Sequence, residues 1–123
     1  GGGAASLKPD AFNPMSIANT VWSCARLLFR HEQLMDWLST AAVSRIENFN
    51  PHDLSGTAWA FAKLAVHDGP LLEAISAQSR ARMPQFLPQS LSSPAWSYAT
   101  LGVPDRPLMD AIADASIRTL RAG

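Results

Sequence analysis

Residues Phe49 to Gln85 read FNPHDLSGTAWAFAKLAVHDGPLLEAISAQSRARMPQ, and the same pattern lies on both sides of them. Shifted back by 37 positions, the stretch falls on Phe12 to Asn48 without a gap; shifted forward by 37, it falls on Phe86 to Ala122. Phe12, Phe49 and Phe86 then align, as do Pro14, Pro51 and Pro88, and Trp22, Trp59 and Trp96. Ala25, Ala62 and Ala99 follow, then Leu27, Leu64 and Leu101, and Leu34, Leu71 and Leu108. Acidic residues align at Asp36, Glu73 and Asp110. An internal period of this length marks a repeat architecture, and it weighs more than any local propensity.

Each unit divides into two helices. Asn13-Pro14 and Asn50-Pro51 are helix starts, because Asn accepts from an orphan N–H at the N-cap and Pro at N1 has no N–H to orphan. Helix A of the first unit is expected from about Pro14 to Leu28, with Ile17, Val21, Cys24, Ala25 and Leu28 in a helical stripe. Leu54, Ala58, Phe61, Ala62 and Ala65 repeat that stripe. Helix B is expected over about Gln33–Glu47 and Pro70–Met83, burying Leu34, Leu38 and Ala41, then Leu71, Ile75 and Gln78, then Leu108, Ile112 and Ala115. In the third unit Pro94 replaces Thr20 and Thr57 inside helix A. A mid-helix Pro is costly, so a break or a separate turn is predicted there. Ser93 would cap the late helix, Pro94 would stand at N1, and Gly102 would end it in the C′ role.

The fold expected is all-α: an α-solenoid of three stacked 37-residue helix-turn-helix repeats, residues 12–48, 49–85 and 86–122, forming one continuous domain. Residues 1–11 are rich in Gly and Ala and read as a flexible lead-in. The repeated Trp and Phe are expected to supply the stacking core. Neither end shows a polar capping helix, so both ends are expected to dock on a neighbour or to continue a longer solenoid.

Composition bounds the function. Of the 123 residues 47% are hydrophobic and only 16% charged, with zero net charge. That is a thin charged surface for an independent domain and lacks the basic excess of a typical nucleic-acid binder. The single Cys24 excludes an intrachain disulfide and fills a slot held by Phe61 and Tyr98, so it reads as a buried apolar residue. No run approaches the roughly 18–20 apolar residues of a membrane span. His31, His52 and His67 lack metal-ligand spacing, and no phosphate loop, nucleophile elbow or carboxylate pair appears. Neither enzymatic activity nor a cofactor, metal or small-molecule substrate is expected.

Three stretches carry a family likeness: NTVWSCARL (Asn19–Leu27), GTAWAFAKL (Gly56–Leu64) and SPAWSYATL (Ser93–Leu101). They resemble helix A of octotricopeptide repeats and are similar to the helical repeats of FAST-kinase-like organellar proteins. The second unit matches best, with Trp59, Ala60, Ala62, Lys63 and Leu64 in place. The resemblance spans Phe12 to about Leu120 and implies single-stranded RNA binding in a chloroplast or mitochondrion, without catalysis by the repeats.

In stacked hairpins one helix of each pair lines the inner face, so the remaining face of helix A holds the candidate contacts. Arg26 and Lys63 suit phosphate; Asn19, Ser23, Ser93 and Ser97 suit base edges or a peptide backbone, with Thr100 on the same face. The same positions also fit a solvated face, or small residues that allow close packing. Arg45, Arg80, Arg82, Arg118 and Arg121 gather at the ends of the B helices. They suit phosphate as well, or simply complement the helix dipole. Trp37 has no counterpart, since Ala74 and Ala111 hold its slot, and reads as a lone extra aromatic, with an exposed contact as the lesser alternative. The competing function is a protein-docking scaffold subunit of a large organellar assembly, ribosomal, photosynthetic or respiratory, without direct RNA contact.

Overall fold

The structure, a computed structural model, describes residues 12–122; the lead-in expected over residues 1–11 lies outside them. The described residues are all-helical, with no strand. Six α-helices run in order: α1 Pro14–Arg26, α2 Glu32–Ser44, α3 Pro51–Lys63, α4 Gly69–Ala81, α5 Ser92–Leu101 and α6 Arg106–Ala122. Short 3-10 turns occupy Ile46–Asn48, Met83–Gln85 and Pro88–Ser90.

Local chemistry explains the starts. Asn13 accepts the Ser16 N–H at 2.8 Å, and Asn50 accepts that of Asp53 at 2.7 Å. Asp53 returns the contact by accepting the Asn50 N–H at 3.4 Å, closing a capping box. Asp68 and Asp105 cap α4 and α6 by accepting the N–H of Leu71 and Leu108 at 3.0 and 2.9 Å. His31 does the same for α2: its Nδ1 accepts the Leu34 N–H at 3.1 Å.

The ends are equally specific. Leu28, Ala65 and Gly102 have φ of 54°, 56° and 68°, the left-handed conformation. Phe29, Val66 and Val103 then donate to the carbonyls of Cys24, Phe61 and Tyr98 at 2.8–2.9 Å, the long bond of a Schellman motif. Helix A therefore stops at Arg26, short of the Leu28 expected, because Leu28 itself makes the turn. Helix B also stops early, at Ser44 and Ala81, and the chain passes into a 3-10 turn. There Phe49 and Phe86 donate back to Ile46 and Met83 at 3.1 Å.

Pro94 divides the third unit as expected, into the turn at Pro88–Ser90 and the shorter α5. The cap differs: α5 begins at Ser92 after Leu91, no side chain caps it, and Pro94 stands third rather than first. Pro94 costs no hydrogen bond there, since the first four N–H groups of a helix have no partner within it.

The helices form two rows: α1 packs on α3 and α3 on α5, while α2 packs on α4 and α4 on α6. Helices α1 and α2 also pack together, as do α3 and α4. Ile17, Val21, Phe49, Leu54, Phe61, Leu71, Ile75, Tyr98 and Leu108 are buried between the rows. Met35 and Leu72 are buried as well, widening the stripe expected for the B helices, while Ala41 and Gln78 are half-buried. Polar bonds tie successive pairs. Arg30 donates to the carbonyls of Leu64 and Ala65, both at 3.3 Å, and His67 Nε2 lies 2.6 Å from the Leu101 carbonyl. The Tyr98 hydroxyl, deeply buried, donates to the Leu72 carbonyl.

Candidate functional site

The three aligned tryptophans are not the core. Trp22 is 46% exposed and Trp96 45% exposed, and Trp59 is half-buried. The apolar stripe that faces the second row is carried by the residues around them, such as Val21 and Cys24 beside Trp22. Trp22 and Trp96 therefore stand on the outer face of the row formed by α1, α3 and α5, correcting the expectation of a stacking core for them, while Trp59 packs partly against the core.

One turn before each Trp the sequence places a small or short polar residue: Asn19, Gly56 and Ser93. Residues three apart share a helix face, so these short side chains leave a hollow beside the larger rings. The hollow is a groove of about 480 Å³ spanning all three helices of the row. Trp22 and Trp59 supply its flat apolar walls; Ala18, Ser55 and Gly56 lie between them; Asn19, His52, Gln89, Ser90 and Ser93 supply polar groups. A Cβ added to Gly56 would meet nothing within 4 Å. The protein's own packing does not require that glycine, although glycine inside a helix is unfavourable by about 1 kcal/mol relative to Ala.

One turn after each Trp come Arg26, Lys63 and Thr100. All three are exposed. The Arg26 guanidinium carbon lies 5.5 Å from the centre of the Trp22 ring, a cation–π contact that holds the indole. The face thus repeats a simple motif along α1 and α3: a short residue, an indole, then a cation. On α5 the cation is replaced by Thr100.

The candidate residues divide. Asn19 and Ser93 line the groove, and Arg26, Lys63 and Thr100 flank it. Ser23 is exposed, but its hydroxyl donates to the Asn19 carbonyl at 2.8 Å. Ser97 is fully buried and donates to the Ser93 carbonyl at 2.8 Å, so it does not reach a ligand. Among the basic residues on the B helices, Arg82 is spent on the fold. It donates to the Glu47 carbonyl at 2.6 Å and to Gln85 at 3.2 Å. Arg45 is half-buried and donates to the Ser44 hydroxyl at 3.2 Å. Arg80, Arg118 and Arg121 are exposed. Trp37, 71% exposed, lies on α2 in a separate shallow hollow with Asp36, Thr40 and Arg45.

Sequence reasoning weighed base stacking for Trp22 and Trp59 but preferred the core, and it passed over His52. The signal was present: a large residue flanked at three and four positions by small or charged residues, off the line of Ile17, Val21 and Cys24. Cys24 is buried as expected, and burial raises its thiol above the usual range. Among the described residues no three His, Cys, Asp or Glu side chains converge, and no helix is long and apolar enough to cross a membrane. A scan against protein-family models, a search of curated proteins and a search of solved structures each return no match.

Proposed function

We propose that this chain is a non-catalytic helical-repeat interaction module that lays single-stranded RNA along the groove of α1, α3 and α5. The observation that carries the reading is the line of indoles on this face, Trp22 and Trp96 exposed and Trp59 half-buried, each next to a short residue and followed by a cation on α1 and α3. Bases stack on Trp22 and Trp59, each stack contributing about 1–3 kcal/mol. Arg26 and Lys63, one turn further, meet phosphates, while Asn19, His52, Gln89 and Ser93 offer hydrogen bonds to base edges.

The architecture behind this reading is a solenoid of three 37-residue hairpins, residues 12–48, 49–85 and 86–122. What supports it is the recurrence of the left-handed C′ residue at 28, 65 and 102, and of N-cap side chains at 31, 68 and 105. The likeness of the three helix A stretches to octotricopeptide and FAST-kinase-like repeats supports RNA as the ligand and a chloroplast or mitochondrion as the location. Zero net charge favours a second reading, a docking subunit of an organellar assembly whose groove takes an extended protein segment.

Anisotropy of a fluorescent single-stranded RNA pool across a salt series tests the proposal. Saturable binding is expected, with a log–log salt slope of about −1.4 for two neutralised phosphates. Arg26→Ala with Lys63→Ala is expected to flatten that slope. No binding at low salt would contradict the RNA reading and favour the docking subunit.

A further inference from the structure

The two ends of the helix stack are unequal to its middle. Leu27 is 79% exposed, whereas Leu64 and Leu101, its equivalents 37 and 74 positions on, are 6% and 5% exposed. Phe12 is likewise exposed while Phe49 and Phe86 are buried. Ser23 is exposed while Ala60 and Ser97 are buried. Each buried equivalent belongs to a hairpin with another hairpin before it in the stack.

The other end shows the mirror pattern on a different set of positions. Met109 is 41% exposed, whereas Met35 and Leu72 are 1% and 3% exposed. Ala99 is exposed while Ala25 and Ala62 are buried, and Ala113 is exposed while Ser39 and Ser76 are buried. These are the positions a following hairpin covers. The molecule therefore presents both halves of its own internal interface, one at each end, and none of these six exposed residues is charged.

We propose that the two ends dock on each other between copies of this chain, head to tail, the Phe12–Ser23–Leu27 face of one copy covering the Ala99–Met109–Ala113 face of another. Inside the chain the packing of α1 on α3, α3 on α5, α2 on α4 and α4 on α6 accompanies burial of the equivalent positions, so a second copy continues an interface the chain contains. The contact is heterologous and does not close, so copies add into linear stacks. One polar element is missing from the junction. Arg30 and His67 reach forward to the backbone carbonyls of the next helix of the row, but Pro104 holds that slot in the last hairpin and has no side-chain donor. The junction between copies is therefore weaker than those inside the chain and depends on concentration. This rests on the stacked-hairpin reading and is independent of RNA.

Sedimentation velocity over a concentration series tests it. The wild-type chain is expected to gain mass steadily with concentration. Leu27→Glu and Ala99→Arg, at exposed positions and checked for helicity by circular dichroism, each bury an uncompensated charge at one face and weaken association about tenfold or more. Mixing the two variants should restore association but stop it at a dimer, because each keeps one good face. Pro104→Arg should restore the missing donor and strengthen association. A chain that stays monomeric at all concentrations, or a mixture of the two variants that gains no mass, would overturn the proposal. Ala62→Arg separates this from the reading beneath it. If Ala62→Arg unfolds the chain while the wild type stays monomeric, only the docking fails; if Ala62→Arg is tolerated, the stacked-hairpin reading fails as well.

Discussion

Ala65 takes a backbone conformation that costs a residue with a Cβ about 1–2 kcal/mol, at φ 56°. Gly102 takes it without that cost in the equivalent place, at φ 68°. Glycine at position 65 gains the relief and gives back part of it as unfolded-state entropy. Ala65→Gly is therefore expected to raise stability by about 0.5–1 kcal/mol, read as a higher urea midpoint. Tyr98 makes a second residue-scale case. Burial raises its phenol well above the ordinary value, with the charge of Asp105 acting the same way; a backbone hydrogen bond at Ser76 and the charge of Arg80 oppose them. The unfolded chain releases this proton near pH 10 while the folded chain keeps it. Above that pH the unfolded state binds fewer protons, so stability falls as pH rises. Below about pH 10 the wild type should exceed Tyr98→Phe by about 0.5–1.5 kcal/mol, the worth of one hydrogen bond. That margin should shrink at higher pH; a margin that stays constant would contradict the assignment. Tyr98 is the sole tyrosine, so its phenolate absorbance can be followed directly.

At the scale of the element, the starts at Asn13 and Asn50 were legible because their chemistry is written in single residues. The caps at His31, Asp68 and Asp105 were not read in advance, although Asp68 and Asp105 carry the same acceptor chemistry. Helix ends were legible only at Gly102. Leu28 and Ala65, both exposed, carry no signature of the left-handed turn they make. The late start of α5 could be read from Pro94, and the missing cap follows from Leu91, which precedes α5 and has no side-chain acceptor; Leu87, where Asn13 and Asn50 stand, precedes only the 3-10 turn. The groove was half legible. Asn19 and Ser93 could be placed on the right face by spacing, but Ser97 could not be separated from them, because periodicity gives a face and not its depth. Gly56 offers the test of the element's role. Gly56→Ala should stabilise α3 by about 0.5–1 kcal/mol, since the new methyl meets nothing within 4 Å. It should also weaken ligand binding by filling the groove floor. Greater stability with unchanged affinity would mean the hollow beside Gly56 is not where the ligand lies.

For the whole molecule, the period of 37 residues carried most of the information. It predicted helical pairs and their order, and the two packed rows follow it. It misplaced the tryptophans because a repeated large aromatic is equally consistent with a shared core and a shared surface. The charge balance bears on the function at this scale. With zero net charge there is no long-range attraction for RNA, so the proposed binding rests on the local arrangement of indole and cation on α1 and α3. The four indole N–H resonances read that arrangement most directly. On titration with single-stranded RNA, the signals of Trp22 and Trp59 should shift together and saturate, while that of Trp37, on the other row, should stay in place. A shift confined to Trp37, or none in any of the four, would contradict the claim that the groove of α1, α3 and α5 is the binding face.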